Sequence, residues 1–545
     1  MIKRPLQKAS KFGKAAVNRM SILQDVRPQQ QPTAPGPIKF QRRHVILGIL
    51  LLLSIAVNAG FLIIPPLIPN YHDPIVWCYF ASYIPYLAAC FVVLRTPPQE
   101  RGNKLELGLI FVGALILRVM LLQQIPLLSK DSWRYLWDAR VTLLGYSPYV
   151  YTPQNPIFAH LHDVIYDNTR YRSVPTIYPP GAQAFYILSY LIAPSNLVML
   201  KSIFVLLDLV TCGALAYLLT KRGLDPRRVI LYAWCPLPIV EFAVQGHLDA
   251  IAILFSLLAV ISNLSTKRGS RVLTGFLVGM ATLAKLYPVV LLLVVVRRRD
   301  WRLLATCFVT IFLAYLPYLL LGHGQVFGFF GTYVSDQQVN AGPALHMVVT
   351  VSPLFGWSTK TQPLVEYIFD AILMTPLALT ILILRLRNRI SEEAAMLILI
   401  GGIFFVSSHI YPWYTAALLP WIVVLLRPVW MRQGSGHDQA VPAEGVDGEQ
   451  KQVPIEKSGG HARSILARIE SSLNPQGLAI AASWYFVCII ILHYAFDPLP
   501  DWTVYYLIVY DVPLACLAIA AIVAFRRWRA DGKRQVQEVL STSSS

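Results

Sequence analysis

Apolar runs recur along the chain from residue 45 to residue 525, separated by short polar or basic stretches. A spanning α-helix needs roughly 20 apolar residues, fewer where a segment is short or re-entrant. The pattern predicts membrane segments at 45–64, 75–94, 105–125, 197–219, 229–243, 250–264, 273–284, 287–296, 303–321, 363–384, 394–408, 415–426, 478–494 and 504–524. The apolar stretch 181–193 is expected to be re-entrant or to lie along the outer surface, where protein or a cavity shelters it. The expected fold class is all-α: a polytopic membrane protein with about 14 crossings, several paired into short hairpins, and a helical first outer loop.

Composition agrees, since 55% of the 545 residues are hydrophobic, only 14% are charged, and the mean hydropathy is +0.53. Soluble domains are more polar than this. A net charge of +18 suggests nucleic acid at first, but the placement of the charges fits membrane orientation instead. With the arm at 3–43 inside, the basic clusters at 95–104, 221–228, 267–271, 297–302, 385–389, 427–468 and 526–534 share one side and hold 38 of the 47 Lys and Arg residues; six fall in the opposite loops. Both termini are therefore expected in the cytoplasm. Arg118, Lys201 and Lys285 are left in or at the edge of spans. The seven cysteines all lie in apolar segments without CxxC spacing, which argues against disulfides and a zinc site. The first 43 residues are too polar and too long for a cleavable signal, so 45–64 is expected to be an uncleaved first helix.

These boundaries divide the chain into a basic cytoplasmic arm (1–43), a transmembrane module (44–426) with a first outer loop at 126–196, a cytoplasmic linker (427–477), a C-terminal transmembrane hairpin (478–525) and a cytoplasmic tail (526–545). The Gly-, Glu-, Gln- and Ser-rich composition of 433–472 is that of a linker. No internal repeat is evident, which weighs against repeat-built transporter folds.

Candidate chemistry gathers in the outer segments. In "LLSKDSWRYLWDARVTLLGYSPYVYTP" the spacing predicts a helix over 131–144, ended by Gly145, with Asp131, Arg134, Tyr135 and Asp138 on one face. Trp133, Leu136, Trp137, Val141 and Leu144 would let such a helix lie at the membrane surface. Further on, "VPTIYPPGAQAFYIL" sets Tyr178 before two prolines that fix the chain's entry angle. In "CPLPIVEFAVQGHLDAIAILF" two segments of about 15 residues meet at Gln245, Gly246, His247 and Asp249, and segments so short imply a local recess. Lys285, in "ATLAKLYPVV", lies between basic clusters that must share a side, so the chain turns back near it and places it at a hairpin tip. A pairing with a carboxylate such as Glu241 is the structural alternative. Finally, "SSHIYPWYTAALLP" joins two short segments through His409, Tyr411, Trp413 and Tyr414. Carboxylate, cation and aromatic faces together suit sugar transfer from an anionic lipid leaving group.

Taken in order, "DSWRYLWDARVTLLGYSPY", "YPPGAQAFYIL", "CPLPIVEFAVQGHLDAIA", "AKLYP" and "YPWYTAALLP" resemble the polytopic C-superfamily (GT-C) glycosyltransferases that use polyprenyl- or dolichyl-phosphate sugars. In particular they resemble GPI mannosyltransferase I and bacterial polyprenyl-phosphomannose-dependent mannosyltransferases. The likeness covers roughly 119–421. It implies a GT-C-like transmembrane helix bundle, Asp131 as catalytic base, Asp138 as second acid, and inversion by single displacement without a carboxylate nucleophile. Lys285, Arg134 and His409 are then the candidate donor-phosphate ligands, and Tyr135, Tyr178, His247, Asp249, Tyr411 and Trp413 the sugar or acceptor contacts. One departure bears on metal use: where the GPI enzyme has Asp-x-Asp, this chain has Ser129, Lys130 and Asp131. A divalent metal between two carboxylates is not expected, no metal ligands are assigned, and Lys130 or Arg134 would supply the positive charge.

The expected function is transfer of a sugar, mannose by resemblance, from a polyprenyl phosphate to a lipid-linked or cell-envelope glycan on the outer or lumenal face. The partners are the bilayer, the polyprenyl-phosphate-linked sugar and a glycan or glycolipid acceptor, with no nucleic acid. A flippase of lipid-linked sugars is the rival reading; it calls for charges along a through-pathway, whereas here they gather on one face. The absence of an ER-retention signal and of an obvious lumenal Asn-x-Ser/Thr site favours a bacterial plasma membrane over an ER membrane.

Overall fold

The computed structural model describes residues 42–97, 102–329, 342–358, 361–407, 410–426, 474–496 and 502–542. The basic arm up to residue 41, the linker from 427 to 473 and His409 lie outside the described residues. From residue 42 onward the chain is one compact unit. Among the described residues there are helices and no strands.

Among the described residues, six helices are long and apolar enough to cross a membrane: Arg42–Leu67, His72–Arg95, Leu197–Lys221, Trp301–Leu321, Leu364–Leu386 and Thr503–Ala530. Five further apolar helices are shorter, among them Asp249–Asn263, Ser270–Ala284 and Pro475–Ile489. A 15-residue helix is about 22 Å long, short of a hydrocarbon core of about 30 Å. The fourteen expected crossings include four of these shorter helices, and the six long helices do not by themselves confirm that count. Leu197–Lys221 starts where the Asn196 side chain accepts from the Met199 N–H at 3.0 Å and ends before Gly223 at φ 68°.

The segment expected as a helix over 229–243 is broken into Pro226–Val229, Ile230–Ala233, Pro236–Ile239 and a π-helical turn at Val240–Val244. The cause is local: Cys235 precedes a proline and takes extended backbone angles (φ −60°, ψ 125°). The segment is buried throughout and forms the centre of the bundle. Leu197–Lys221 packs beside it and also against Asp249–Asn263, which in turn pairs with Ser270–Ala284. At Gly275 and Gly279 an added Cβ would meet the Leu303 carbonyl and the Thr310 side chain, so these glycines let Ser270–Ala284 and Trp301–Leu321 approach closely. The chain does turn back after Lys285. It passes through the short helices Tyr287–Val290 and Leu291–Val295, and Arg271, at the start of the outgoing helix, donates to the Val295 carbonyl at 2.8 Å.

The helix expected in the 126–196 loop runs Asp131–Leu143. Gly145 at φ 86° closes it, with Gly145 N–H donating to Thr142 and Tyr146 N–H to Val141, a Schellman ending. It does not lie on the surface as expected: Leu136, Trp137 and Val141 are fully buried. The loop that follows folds back over them, bringing Phe158 and Tyr166 onto Trp137 with ring centroids 6.0 and 5.4 Å away. Pro180–Ile192 covers the other side.

Inside the bundle, several charged groups are paired. Arg118 donates to Asp208 and to the carbonyls of Ala114 and Ala233, while the Tyr232 hydroxyl donates to the second Asp208 oxygen at 2.6 Å. Removing one member strands the other without water. Arg118→Met is therefore expected to cost about 3–5 kcal/mol, and the double change Arg118→Met/Asp208→Leu to recover most of it. Thermal unfolding in detergent checks this.

Candidate active site

The loop entry, the 240–249 turn, the Lys285 hairpin tip and the 410–414 segment meet at one end of the bundle. Gln245 docks the first of these: its Oε1 accepts from the backbone N–H groups of Leu127, Leu128 and Ser129 at 3.0, 3.1 and 3.3 Å. Three successive donors on one buried amide fix the start of the loop against the 240–249 turn. Gly246 has φ 73°, and an added Cβ would sit 2.9 Å from Lys201 Cγ and 3.1 Å from Ser132 Cβ. Lys201 is itself fully buried, its ammonium held by the Gln124 carbonyl.

Asp131 is the first residue of the loop helix, where the helix dipole favours a carboxylate. It is half-buried, and the Tyr178 hydroxyl donates to it at 3.5 Å. It makes no ion pair among the described residues, and it lies within electrostatic reach of both His247 and Lys285. Lys285 Nζ is 2.8 Å from Asp249 Oδ1 and 3.6 Å from the centroid of the Tyr414 ring. The carboxylate partner is thus Asp249 rather than Glu241. Asp249 is buried, and its Oδ2 has no hydrogen-bond partner among the described residues.

His247 is fully buried between two hydrogen bonds, Nδ1 to Glu241 Oε2 at 2.9 Å and Nε2 to Ser129 Oγ at 3.1 Å. Its ring stacks on Trp413 (3.8 Å, 19°), and Trp413 stacks on Tyr411 (4.7 Å, 2°). Glu241 also accepts from the hydroxyls of Tyr79 and Tyr494.

The remaining expected residues sit elsewhere on the loop helix. Arg134 donates to Asp138 at 2.7 Å and to the carbonyls of Tyr171 and Val174, both at 3.0 Å, and Gln183 donates to the other Asp138 oxygen at 3.2 Å. Both charges are buried and tie the returning loop to the helix. Tyr135 is buried and stacked flat on Tyr186 at 4.5 Å, with Tyr178 edge-on at 4.9 Å. Arg140 reaches Asp163 at 2.7 Å.

Ser129, Glu241, Gln245, Tyr414, Tyr79 and Tyr494 complete the cluster. Glu241 and Gln245 had a readable signal, since each is a polar residue inside an apolar run. Tyr494 had none: it is one aromatic among many in a distant segment.

A helical membrane bundle with carboxylates, a lysine and stacked rings gathered at one end has the groups a sugar-transferring enzyme needs, and the chain is a membrane glycosyltransferase. Residues 176–412 match Glycosyltransferase family 87, a GT-C-type family of polyprenyl-phosphate-sugar glycosyltransferases. The match includes Tyr178, His247, Asp249, Lys285 and Tyr411; Asp131, Trp413 and the C-terminal helices lie outside it. It does not extend to the particular mannosyltransferases that the motifs resemble. No curated protein and no solved structure matches the chain.

Two expectations follow from this geometry. Gly246→Ala should lower stability by about 1–2 kcal/mol from its left-handed backbone alone, and further through the clash with Lys201, read as a lower unfolding temperature. For Asp163, partial burial pushes its carboxyl up, but the hydrogen bond and charge of Arg140 together with the backbone N–H groups of Tyr166 and Ile165 outweigh this and hold it below the ordinary 3.8. Its contribution to holding the loop is then present above the ordinary carboxylate range and lost as pH falls through its lowered value. Limited proteolysis of 146–176 should accelerate at low pH in the wild type, and Asp163→Asn should already show the faster rate at neutral pH.

Proposed function

We propose that the protein transfers mannose from a polyprenyl phosphate to a lipid-linked or cell-envelope glycan, at the outer face of a bacterial plasma membrane, with inversion at the sugar. The convergence of Asp131, the Asp249–Lys285 pair and the His247–Trp413–Tyr411 stack at one end of the bundle supports this reading. An acceptor hydroxyl oxygen attacks the anomeric carbon as the bond from that carbon to the phosphate oxygen breaks. Asp131, half-exposed and without an ion pair, takes the hydroxyl proton. Lys285 meets the charge that develops on the departing phosphate, its ammonium held toward the site by Asp249. The Tyr411 and Trp413 rings provide flat apolar faces for the sugar. Arg134 and Asp138, tied to each other and to the returning loop, serve by holding the Asp131 helix in place. The gathering of polar groups at one end, rather than along a path through the bundle, favours transfer over lipid flipping.

Purified protein with radiolabelled polyprenyl-phosphate mannose and a membrane lipid extract tests this. Asp131→Asn should lower transfer roughly 10²- to 10⁴-fold with donor binding retained. Lys285→Ala should weaken donor binding roughly 10- to 100-fold, as expected for a lost charge-assisted hydrogen bond, while Lys285→Arg keeps more of it. Equal transfer by Asp131→Asn and wild type removes Asp131 from the mechanism. Lipid translocation in vesicles without sugar transfer replaces the reading with a flippase.

A further inference from the structure

The C-terminal helices are separated from the rest of the chain by the 427–473 stretch and lie beyond the residues that match family 87. In the folded chain they nevertheless reach the centre of the site. The Trp484 indole donates to the Tyr86 hydroxyl at 3.2 Å, which seats Pro475–Ile489 against His72–Arg95. Past the end of that helix, Tyr494 is buried and its hydroxyl contacts both oxygens of Glu241, at 3.2 and 3.1 Å. Tyr79, on His72–Arg95, donates to Glu241 Oε1 at 3.0 Å.

From Glu241 the bonding continues in one direction. With the carboxylate accepting from the two tyrosines, its Oε2 accepts from His247 Nδ1–H at 2.9 Å. That bond sets the imidazole tautomer and leaves Nε2 as an acceptor for the Ser129 hydroxyl at 3.1 Å. Ser129 Oγ in turn accepts from the Asp131 backbone N–H at 3.4 Å. Each donor in this chain has an acceptor and each link is buried or half-buried.

We propose that this relay, from Tyr494 and Tyr79 through Glu241, His247 and Ser129 to the Asp131 backbone, makes the C-terminal helix pair a working part of the active site, with Tyr494 as a positioning residue for the base. The inference rests on the reading of Asp131 given above. The relay sets where the Asp131 carboxylate stands and touches neither donor nor acceptor, so its loss acts on the chemical step more than on binding.

Tyr494→Phe removes one hydroxyl and keeps the ring. The expected result is a kcat about tenfold lower with donor KM within twofold of wild type and a near-normal unfolding temperature. Ser483→Ala, which removes a hydroxyl bonded only within its own helix to the Ala479 carbonyl at 3.0 Å, should keep the wild-type kcat. Ser129→Ala should lower kcat similarly, and the double variant Tyr494→Phe/Ser129→Ala should fall less than the product of the two, because both cut one chain. A wild-type kcat in Tyr494→Phe, an equal loss in Ser483→Ala, or strictly multiplicative effects overturns the proposal. If the wild-type protein transfers no sugar at all, the functional reading fails by itself. The relay is then judged by acylation of His247 with diethyl pyrocarbonate, read by mass spectrometry. A rate several-fold faster in Tyr494→Phe supports it, and an unchanged rate overturns it.

Discussion

A carboxylate removed from water must be given hydrogen-bond donors, and much of this fold is arranged around meeting that condition at Glu241. Its three donors come from three places: Tyr79 on a long early span, His247 a turn further along its own segment, and Tyr494 from the C-terminal helices. An unpaired ion at this depth would cost several kcal/mol. The three elements are therefore held in register with one another by the need to satisfy one group. The same constraint acts at Asp208, which gathers Arg118 and Tyr232.

The breaks in the helices serve the site. Pro236 and Pro238 interrupt what would have been a spanning helix, and the π-helical turn that follows presents Glu241 and Gln245 to different neighbours. The half-length helices Asp249–Asn263 and Ser270–Ala284 begin and end within the bundle, so Asp249 and Lys285 come to the same depth and pair. Polar chemistry is thereby gathered at one end of the bundle.

Much of the architecture was legible from the chain alone. The turn at Lys285 followed from basic clusters on either side of an apolar run, and the loop helix from its spacing and from Gly145. The surface position expected for that helix did not hold, because an amphipathic pattern reports which side is apolar and not what covers it. Here Phe158 and Tyr166, 21 and 29 residues after Trp137 in sequence, supply the cover. Hydropathy registers apolar residues in a half-length helix as strongly as in a full one, so an apolar run by itself does not separate the six full-length helices from the shorter ones. Arg134 and Asp138 were legible as a charged pair. That their remaining partners would be the Tyr171 and Val174 carbonyls and Gln183 depends on how the loop returns.

What the sequence determined by itself is the class and the raw material: an apolar helical chain, its charge asymmetry, and short motifs that resemble a glycosyltransferase superfamily. These are local properties, carried by composition and by spacings of a few residues. Which carboxylate meets Lys285, which groups hold His247, and which residue of the C-terminal helices reaches Glu241 were decided only by the tertiary structure. Those pairings join residues up to 253 positions apart, and they follow from how helices pack and from which buried groups lack partners.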